Sequence, residues 1–448
     1  LVITFTALLT GAGVYATLRL PLDAVPDVTN IQVQINTEAP GWGAVEVENL
    51  ITFPIETSIM GLPDIAEIRS LSKTALSQVT VVFKDWVDIY FARRLVMERL
   101  QEARENIPKG IGTPIMGPIS TGLGEIYQYI VEGDEYSLME LRTIQDWIVR
   151  FQLLTVPGVT EVNSFGGFTK QYQVLVDPDK LVAYDLSLKD IFTSLEENNA
   201  NVGGAYIEHS SERYIVRGIG FISTITDIEN IILKACCGTP VRTKDVADVV
   251  IGPEVRYGAV TMDGEGEVVT GIVMMIMGAN GRAVVNRVKQ KIEEIKSSLP
   301  EGVTIRPFYD RSELIHKCIK TVTTSLLIGG ILVFLVLFGF LGNLRSAIIV
   351  AINIPLAALI AFILMKLLGV SANLMSLGGL AIGIGMMVDS SIVMVENIYR
   401  HMAENNRRDK NIVQITLLSA KEVARPIVFA ILIIIVVLLM FGGKKIPE

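Results

Sequence analysis

A division of hydropathy constrains this chain more than any other feature. Residues 21–320 are polar enough to fold in water, whereas 321–341, 346–368, 372–398 and 424–442 are apolar runs separated by polar turns. At 1.5 Å per residue, each run approaches or exceeds the roughly 30 Å of a bilayer's hydrocarbon core. A fifth run, LVITFTALLTGAGVYATL at 1–18, opens the chain. It lacks the basic n-region and small-residue cleavage site of a secretory signal peptide. It leads into LRLPLDAVPD, so a membrane helix is expected, clipped at its start because no Met begins it. Composition agrees: 50% of residues are hydrophobic, only 7% aromatic, and the mean hydropathy is +0.47. A net charge of −8 gives no basis for nucleic-acid binding.

Basic residues set the orientation. Arg400, Arg407, Arg408, Lys410, Lys421 and Arg425 lie between the fourth and fifth spans, and Arg345 follows the second. The positive-inside rule makes both loops cytoplasmic and places 21–320 on the outer face, the periplasm of a cell with two membranes. Lys444 and Lys445 run against this count.

The polar region has an α/β rhythm. IQVQIN reads as a strand, and VEVENLITFPIETSI as a helix that Pro54 is expected to kink or end early. IAEIRSL and SQVTVVF read as strands, and DIYFARRLVMERLQEARENI as an amphipathic helix. EIYQYIVEG, SLMELRTIQDWIVRFQLLT, VTEVNSFG and QYQVLVD begin a second unit. Residues 168–253 interrupt it before VRYGAVTMDGEGEVVTGIVMMIM and AVVNRVKQKIEEIKSSL resume the pattern, with Met274, Met275 and Met277 expected in its core. The expected fold class is a multi-pass α-helical membrane protein carrying a large periplasmic α+β region of ferredoxin-like (β-α-β) subdomains. There is no P-loop, HExxH, GxSxG or GxGxxG at a strand-to-helix junction, so no catalytic residue is assigned. His209, His316 and His401 are scattered without zinc-like spacing. The three cysteines do not make a disulfide framework, and the adjacent Cys236 and Cys237 are expected to be structural or incidental.

The segment GIGMMVDSSIVMVEN (383–397) carries the chemistry. Asp389 and Glu396 are seven residues apart, about 700° of helix, so they share one stripe. A carboxylate at mid-bilayer costs at least roughly 2.5–3.5 kcal/mol. Asp389 precedes Arg400 by 11 residues, about 16 Å, which puts it near the midplane, while Glu396 is close to interfacial water. Asp389 is therefore the better proton-carrier candidate, with Glu396 a shallower helper. The competing reading is a carboxylate held by a fixed basic partner or capping a neighbouring helix. Met387 and Met394 form a second stripe roughly 200° from the acids, and Met375 lies about three turns before Met387. Thioethers suit Cu(I) and Ag(I), though Met is also flexible packing filler, the reading given to Met386. Pro355 is expected to kink the third span.

LPLDAVPDVTNIQVQINTEAPG, ERLQEARENIP, STGLGEIYQYIVEG, SLPEGVTIRPFYDRSELI and ANLMSLGGLAIGIGMMVDSSIVMVENIYRHM resemble the heavy-metal efflux branch of the resistance–nodulation–division (RND) superfamily, the CusA/CzcA-like inner-membrane pumps. The resemblance runs to about residue 440 and matches the first half of such proteins through their fifth span. It implies transmembrane helix 1 at 1–20, one porter subdomain at 21–117 and a second at 118–167 with 254–312. An inserted docking subdomain at 168–253, transmembrane helices 2–5 at 321–442 and a truncated end at 443–448 complete the division. It further implies a homotrimer working with a periplasmic adaptor and an outer-membrane channel. The implied activity is proton/cation antiport, with no cofactor beyond the transported ion and the proton motive force. In that family the relay aspartate, here Asp389, pairs with a lysine and acids of the other half. Methionines matching Met375, Met387 and Met394 form steps of a metal path in the copper/silver members. Gly383 stands where zinc/cobalt members carry Asp-Phe-Gly, and Asp389-Ser390 stands where drug exporters have adjacent aspartates. The resemblance thus leans to Cu(I)/Ag(I). Val255 in PEVR and the divalent-type segments STGLGEIYQY and ITFPIETSIMGLPD, with Met375 common to both classes, keep Zn, Co, Ni or Cd as the alternative. A proton-coupled RND protein without a metal substrate is a third, disfavoured reading.

Overall fold

A computed structural model describes residues 2–23, 25–210, 212–236, 238–256, 258–341, 344–405 and 412–442. The first α/β unit has antiparallel strands Gln32–Glu38, Ile65–Lys73, Leu76–Phe83 and Ile115–Met116. Their spatial order is fourth, first, third, second. Alternation buries Val33, Ile35 and Thr37 of the first strand. The helix Ile89–Asn106, capped by Asp88 accepting from Phe91 N at 2.9 Å, buries Ala92, Val96, Leu100 and Ala103 against the sheet.

In the helix preceding it, the early end expected at Pro54 does not occur, and a local change of helix type stands just before the proline instead. A π turn, Glu48–Thr52, widens the backbone so that Phe53 N–H reaches Glu48 O, and Phe53–Ile59 continues as α-helix. Pro54 then falls in a first turn, where its missing N–H leaves no bond broken. The wide turn is fixed by the buried Thr52, whose hydroxyl meets Ser72 Oγ and Ser77 Oγ at 2.8 Å each.

The second unit repeats this plan. Strands Glu125–Glu132, Val159–Phe165, Val269–Met275 and Thr304–Asp310 again lie in the order fourth, first, third, second. Its first helix, Leu138–Ile144 continuing to Leu154, also carries a π turn, Gln145–Val149. Buried Gln145 accepts from the Tyr129 hydroxyl at 3.0 Å and donates to Ser164 Oγ at 3.2 Å. In both units a buried polar residue in a widened turn ties the helix to the sheet. Met275 is buried, while Met274 and Met277 are half-buried at the edge of this core.

The insertion leaves between the second and third strands of this unit. Lys170–Val176 pairs antiparallel with Ala247–Pro253, so the entering and leaving chains form one stem. Beyond it lie a small core of Leu181, Ile191, Val246 and Ala247 and a long hairpin, Val202–His209 with Glu212–Gly218. Every described residue of that hairpin is exposed, including Tyr206, Ile207, Tyr214, Ile215 and Val216.

Five further helices are labelled α1 (Val2–Arg19), α2 (Arg311–Leu341), α3 (Leu344–Leu367), α4 (Leu374–Asn405) and α5 (Ile412–Gly442). Among the described residues, Arg311–Val336, Ala347–Leu367 and Leu374–Glu404 are long and apolar enough to cross a membrane. Pro355 lies inside α3, which is helical without a break across it. Arg407, Arg408, Lys410, Lys444, Lys445 and the 443–448 end lie outside the described residues, as does the Arg345 side chain.

The α/β region meets the long helices at one buried cation. The strand Thr304–Asp310 runs directly into α2, whose first residue, Arg311, is 4% exposed. Its guanidinium donates to Asp23 Oδ1 from Nε at 3.2 Å and from Nη2 at 2.7 Å, and to the Leu123 carbonyl. Asp23 belongs to the loop after α1, and its N–H donates to Ala372 O at 3.0 Å in the loop between α3 and α4. Asp23→Ala strips a buried cation of its counter-charge, which costs about 3 kcal/mol. A clear fall in the melting temperature of the detergent-solubilised full-length protein is the expected outcome.

Beside this node Asp310 accepts from Ser312 N at 2.8 Å and Ser312 Oγ at 2.7 Å and pairs with Lys289. Burial acts to raise the Asp310 pKa, but the hydrogen bonds from Lys289 and Ser312 outweigh it and hold the group below its ordinary value. A depressed folded pKa means stability that is present above the unfolded value of about 3.9 and lost as pH falls through the folded one. The melting temperature of Asp310→Asn should therefore fall less than that of the wild type between about pH 5 and pH 3.

Candidate functional site

Helix α4 owes its orientation to an apolar stripe. Ile384 and Val388 are buried, with Leu380, Ile392 and Val395 beside them, against Ala347, Val350 and Ala357 of α3. Leu377 joins Leu20 and Ala372 at the end nearer the α/β region. A cross-helix hydrogen bond fixes the register: Asn353 Nδ2 of α3 donates to Ser391 Oγ at 3.3 Å. Ser391 in turn donates back to Met387 O at 3.1 Å, so it is satisfied within the helix pair.

This packing turns Asp389 and Glu396 to the uncovered side, where both are exposed on one stripe. Neither carboxylate has a hydrogen-bond or ion-pair partner among the described residues. The fixed-partner alternative for Asp389 therefore finds no candidate within the described chain. The carboxylates also stand beside open space. A Cβ added at Gly378 or Gly385, which lie within about 40° of Asp389 around the helix, meets no atom within 4 Å.

The methionines do not act as one set. Met387 and Met394 share a stripe about 140–160° from Asp389, whereas Met375 lies about 40° from Asp389 and about 60° from Glu396. Met375 is 71% exposed, Met387 49% and Met394 half-buried, so packing inside this chain occupies only the last. Met386, read from the sequence as filler, is itself exposed on the acid side. Gly383 is half-buried with nothing within 4 Å of an added Cβ, so local packing does not demand glycine there. Among the described residues no group of three or more His, Cys, Asp or Glu side chains is placed to hold a metal ion. Cys237 lies outside the described residues, and only the backbone of Cys236 is described.

Sequence reasoning missed the polar lock that follows Glu396. Asn397 Nδ2 donates to Ser419 O at 2.9 Å and to Glu422 Oε2 at 3.2 Å, both on α5. His401 Nε2 stands 2.9 Å from the same Glu422 oxygen, and Arg400 donates to Asn397 Oδ1 at 3.3 Å. The acid and the amide of the Glu396-Asn397 pair thus divide the work: one faces out, the other ties α4 to α5. The spacing of Asn397, Arg400 and His401 on one helical face is the signal that could have found it. Asn397→Ala should lower stability by about 1 kcal/mol, with Glu396→Gln neutral in the same thermal-melt assay.

The model of the AcrB/AcrD/AcrF family matches residues 1–443. The "Cation efflux system protein CzcA" of Alcaligenes sp. (strain CT14) is 48% identical over 445 residues, covering 96% of this chain and 41% of its own length. The "Cation efflux system protein CusA" of Escherichia coli (strain K12) is 42% identical over 395 residues, covering 88% of this chain and 38% of its own. A crystal structure described as a heavy metal efflux pump (crystal form II) superposes with a TM-score of 0.89 at 38% identity, over 99% of this chain and 43% of that one. The chain thus spans about two fifths of the length of the relatives it matches.

Proposed function

The chain belongs to the AcrB/AcrD/AcrF family and to the heavy-metal efflux branch of the RND superfamily, and we propose that it is part of a proton-driven exporter of heavy-metal cations. The observation that carries this reading is Asp389: a carboxylate midway along an apolar helix, without an ion-pair or hydrogen-bond partner among the described residues and facing away from the helices that helix packs on. Protonation removes the charge that makes this position costly, and deprotonation restores it. A group so placed biases a helix between two positions as the proton comes and goes. Glu396, two turns on and nearer the basic loop, passes the proton between Asp389 and the cytoplasmic interface. Met387, Met394 and Met375 are the candidate metal-path ligands.

The shared strand order of the two α/β units supports reading them as ferredoxin-like porter subdomains, 21–117 and 118–167 with 254–312. The stem-mounted insertion at 168–253 fits a docking subdomain. Its exposed hairpin, carrying Tyr206, Ile215 and Val216, offers apolar surface of the kind a homotrimer would cover. We place the protein in the bacterial inner membrane with 21–320 in the periplasm, spanning five times within this chain, and partnered by a periplasmic adaptor and an outer-membrane channel.

The cation has two readings. Cu(I) or Ag(I) is favoured by the thioethers of Met387 and Met394 and by Gly383. Zn, Co, Ni or Cd is favoured by the 48% identity to CzcA-type relatives against 42% to CusA. In a metal-sensitive host, full-length Asp389→Asn should assemble normally yet confer no resistance, and Glu396→Gln should retain part of it. Undiminished resistance in Asp389→Asn would sink the antiport reading. The double substitution Met387→Leu with Met394→Leu separates the metals. Lost copper and silver resistance with zinc and cobalt resistance unchanged supports the soft-metal reading, and a wild-type profile supports the divalent one.

A further inference from the structure

Where α2 leaves the α/β region, a cavity of about 430 Å³ opens between it and the helix Gly281–Ile295, lined by Arg282, Asn286, Ser312, Glu313, His316 and Lys317. Arg282 and Lys317 are exposed, and neither has an ion-pair partner among the described residues. They come from different helices and converge on one space. Asn286 adds an uncharged amide, the Ser312 hydroxyl on the wall is already committed to Asp310 and Lys289, and Glu313 is the one carboxylate lining the cavity. Arg282 is also the second residue of its helix, so the positive end of that helix dipole adds to the same field.

The depth of the cavity is informative. The membrane span expected for α2, 321–341, begins four residues beyond Lys317, or about 6 Å along the helix, and opens on the hydroxyl-rich TVTTS. The headgroup layer of a bilayer occupies roughly the first 5–8 Å outside the hydrocarbon. Below the cavity α2 exposes Leu327, Ile328, Ile331 and Leu332, a surface suited to acyl chains. Cationic and hydrogen-bonding groups at headgroup depth over apolar surface make an amphiphile site whose polar end is anionic. We propose that this cavity binds the phosphodiester headgroup of an anionic phospholipid from the outer leaflet. Arg282 and Lys317 contact the phosphate oxygens, and Glu313 limits affinity. The proposal rests on the membrane placement of α2 given above and not on any metal.

Titration calorimetry on the purified full-length protein tests it, using short-chain phosphatidylglycerol, phosphatidylcholine of equal chain length, and inorganic phosphate. Phosphatidylglycerol should bind more tightly than either of the others. Arg282→Gln with Lys317→Gln should weaken it roughly 30-fold, taking about 1 kcal/mol per basic residue near a membrane surface. Glu313→Gln should tighten it, which keeps the test decisive if the double variant folds poorly. Equal affinity for the two lipids, or phosphatidylglycerol binding unmoved by both sets of substitutions, overturns the proposal. Inorganic phosphate binding as tightly as phosphatidylglycerol overturns the lipid in favour of a free anion. Binding is read without transport, so a negative result here is distinct from failure of the efflux reading.

Discussion

The architecture depends on one buried cation. Arg311 sits at the point where a β-strand becomes a membrane-length helix, and it is held by a carboxylate from the loop after α1 and a carbonyl from the second α/β unit. Removing a guanidinium from water is costly unless its donors are matched, so each contact there is strongly enforced. Through Asp23 and its backbone bond to Ala372, the same node reaches the turn between α3 and α4. A displacement of α4 therefore cannot be isolated from the α/β region. The helix that carries Asp389 begins next to the loop that answers to Arg311.

The two α/β units show how one plan accepts different cargo. Each has the same strand order and each interrupts its first helix with a π turn. The interruption is bonded to the sheet by Thr52 in one unit and Gln145 in the other. Only the second unit carries the insertion, and its paired stem strands let that subdomain attach without disturbing the sheet that bears it. The fourth strand of that sheet then leads straight into α2.

Much of this was legible in the residues, and the exceptions share a cause. Alternation in Gln32–Glu38 and the 3–4 spacing in Ile89–Asn106 are local patterns, and both elements appear where the residues place them. The stripe shared by Asp389 and Glu396 follows from helix periodicity alone. The helix runs past Pro54 because the wide turn before it is bonded to Ser72 and Ser77, contacts that local sequence does not display. The role of Arg311 is not visible locally, because its counter-charge Asp23 lies 288 residues earlier. The spacing of Asn397, Arg400 and His401 marks a polar face, but their partner Glu422 lies on another helix, 25 residues beyond Asn397. Helix geometry alone separates Met375 from Met387, and only the family resemblance joins the three.

The uncovered face of α4 sets a physical condition on any proton-coupled role. A carboxylate open to bulk water titrates freely and exerts no control over structure, because its two charge states differ little in free energy between conformations. One sealed in hydrocarbon stays protonated and exchanges nothing. Coupling requires an environment between these limits, one that changes as the helix moves. Within the described residues Asp389 has only its own helix on one side and glycines beside it. Any further wall lies outside the described residues, and a basic group there would favour the charged form until a proton displaces it. The absence of side-chain bulk at Gly378 and Gly385 leaves room for such a wall to approach the α4 backbone closely.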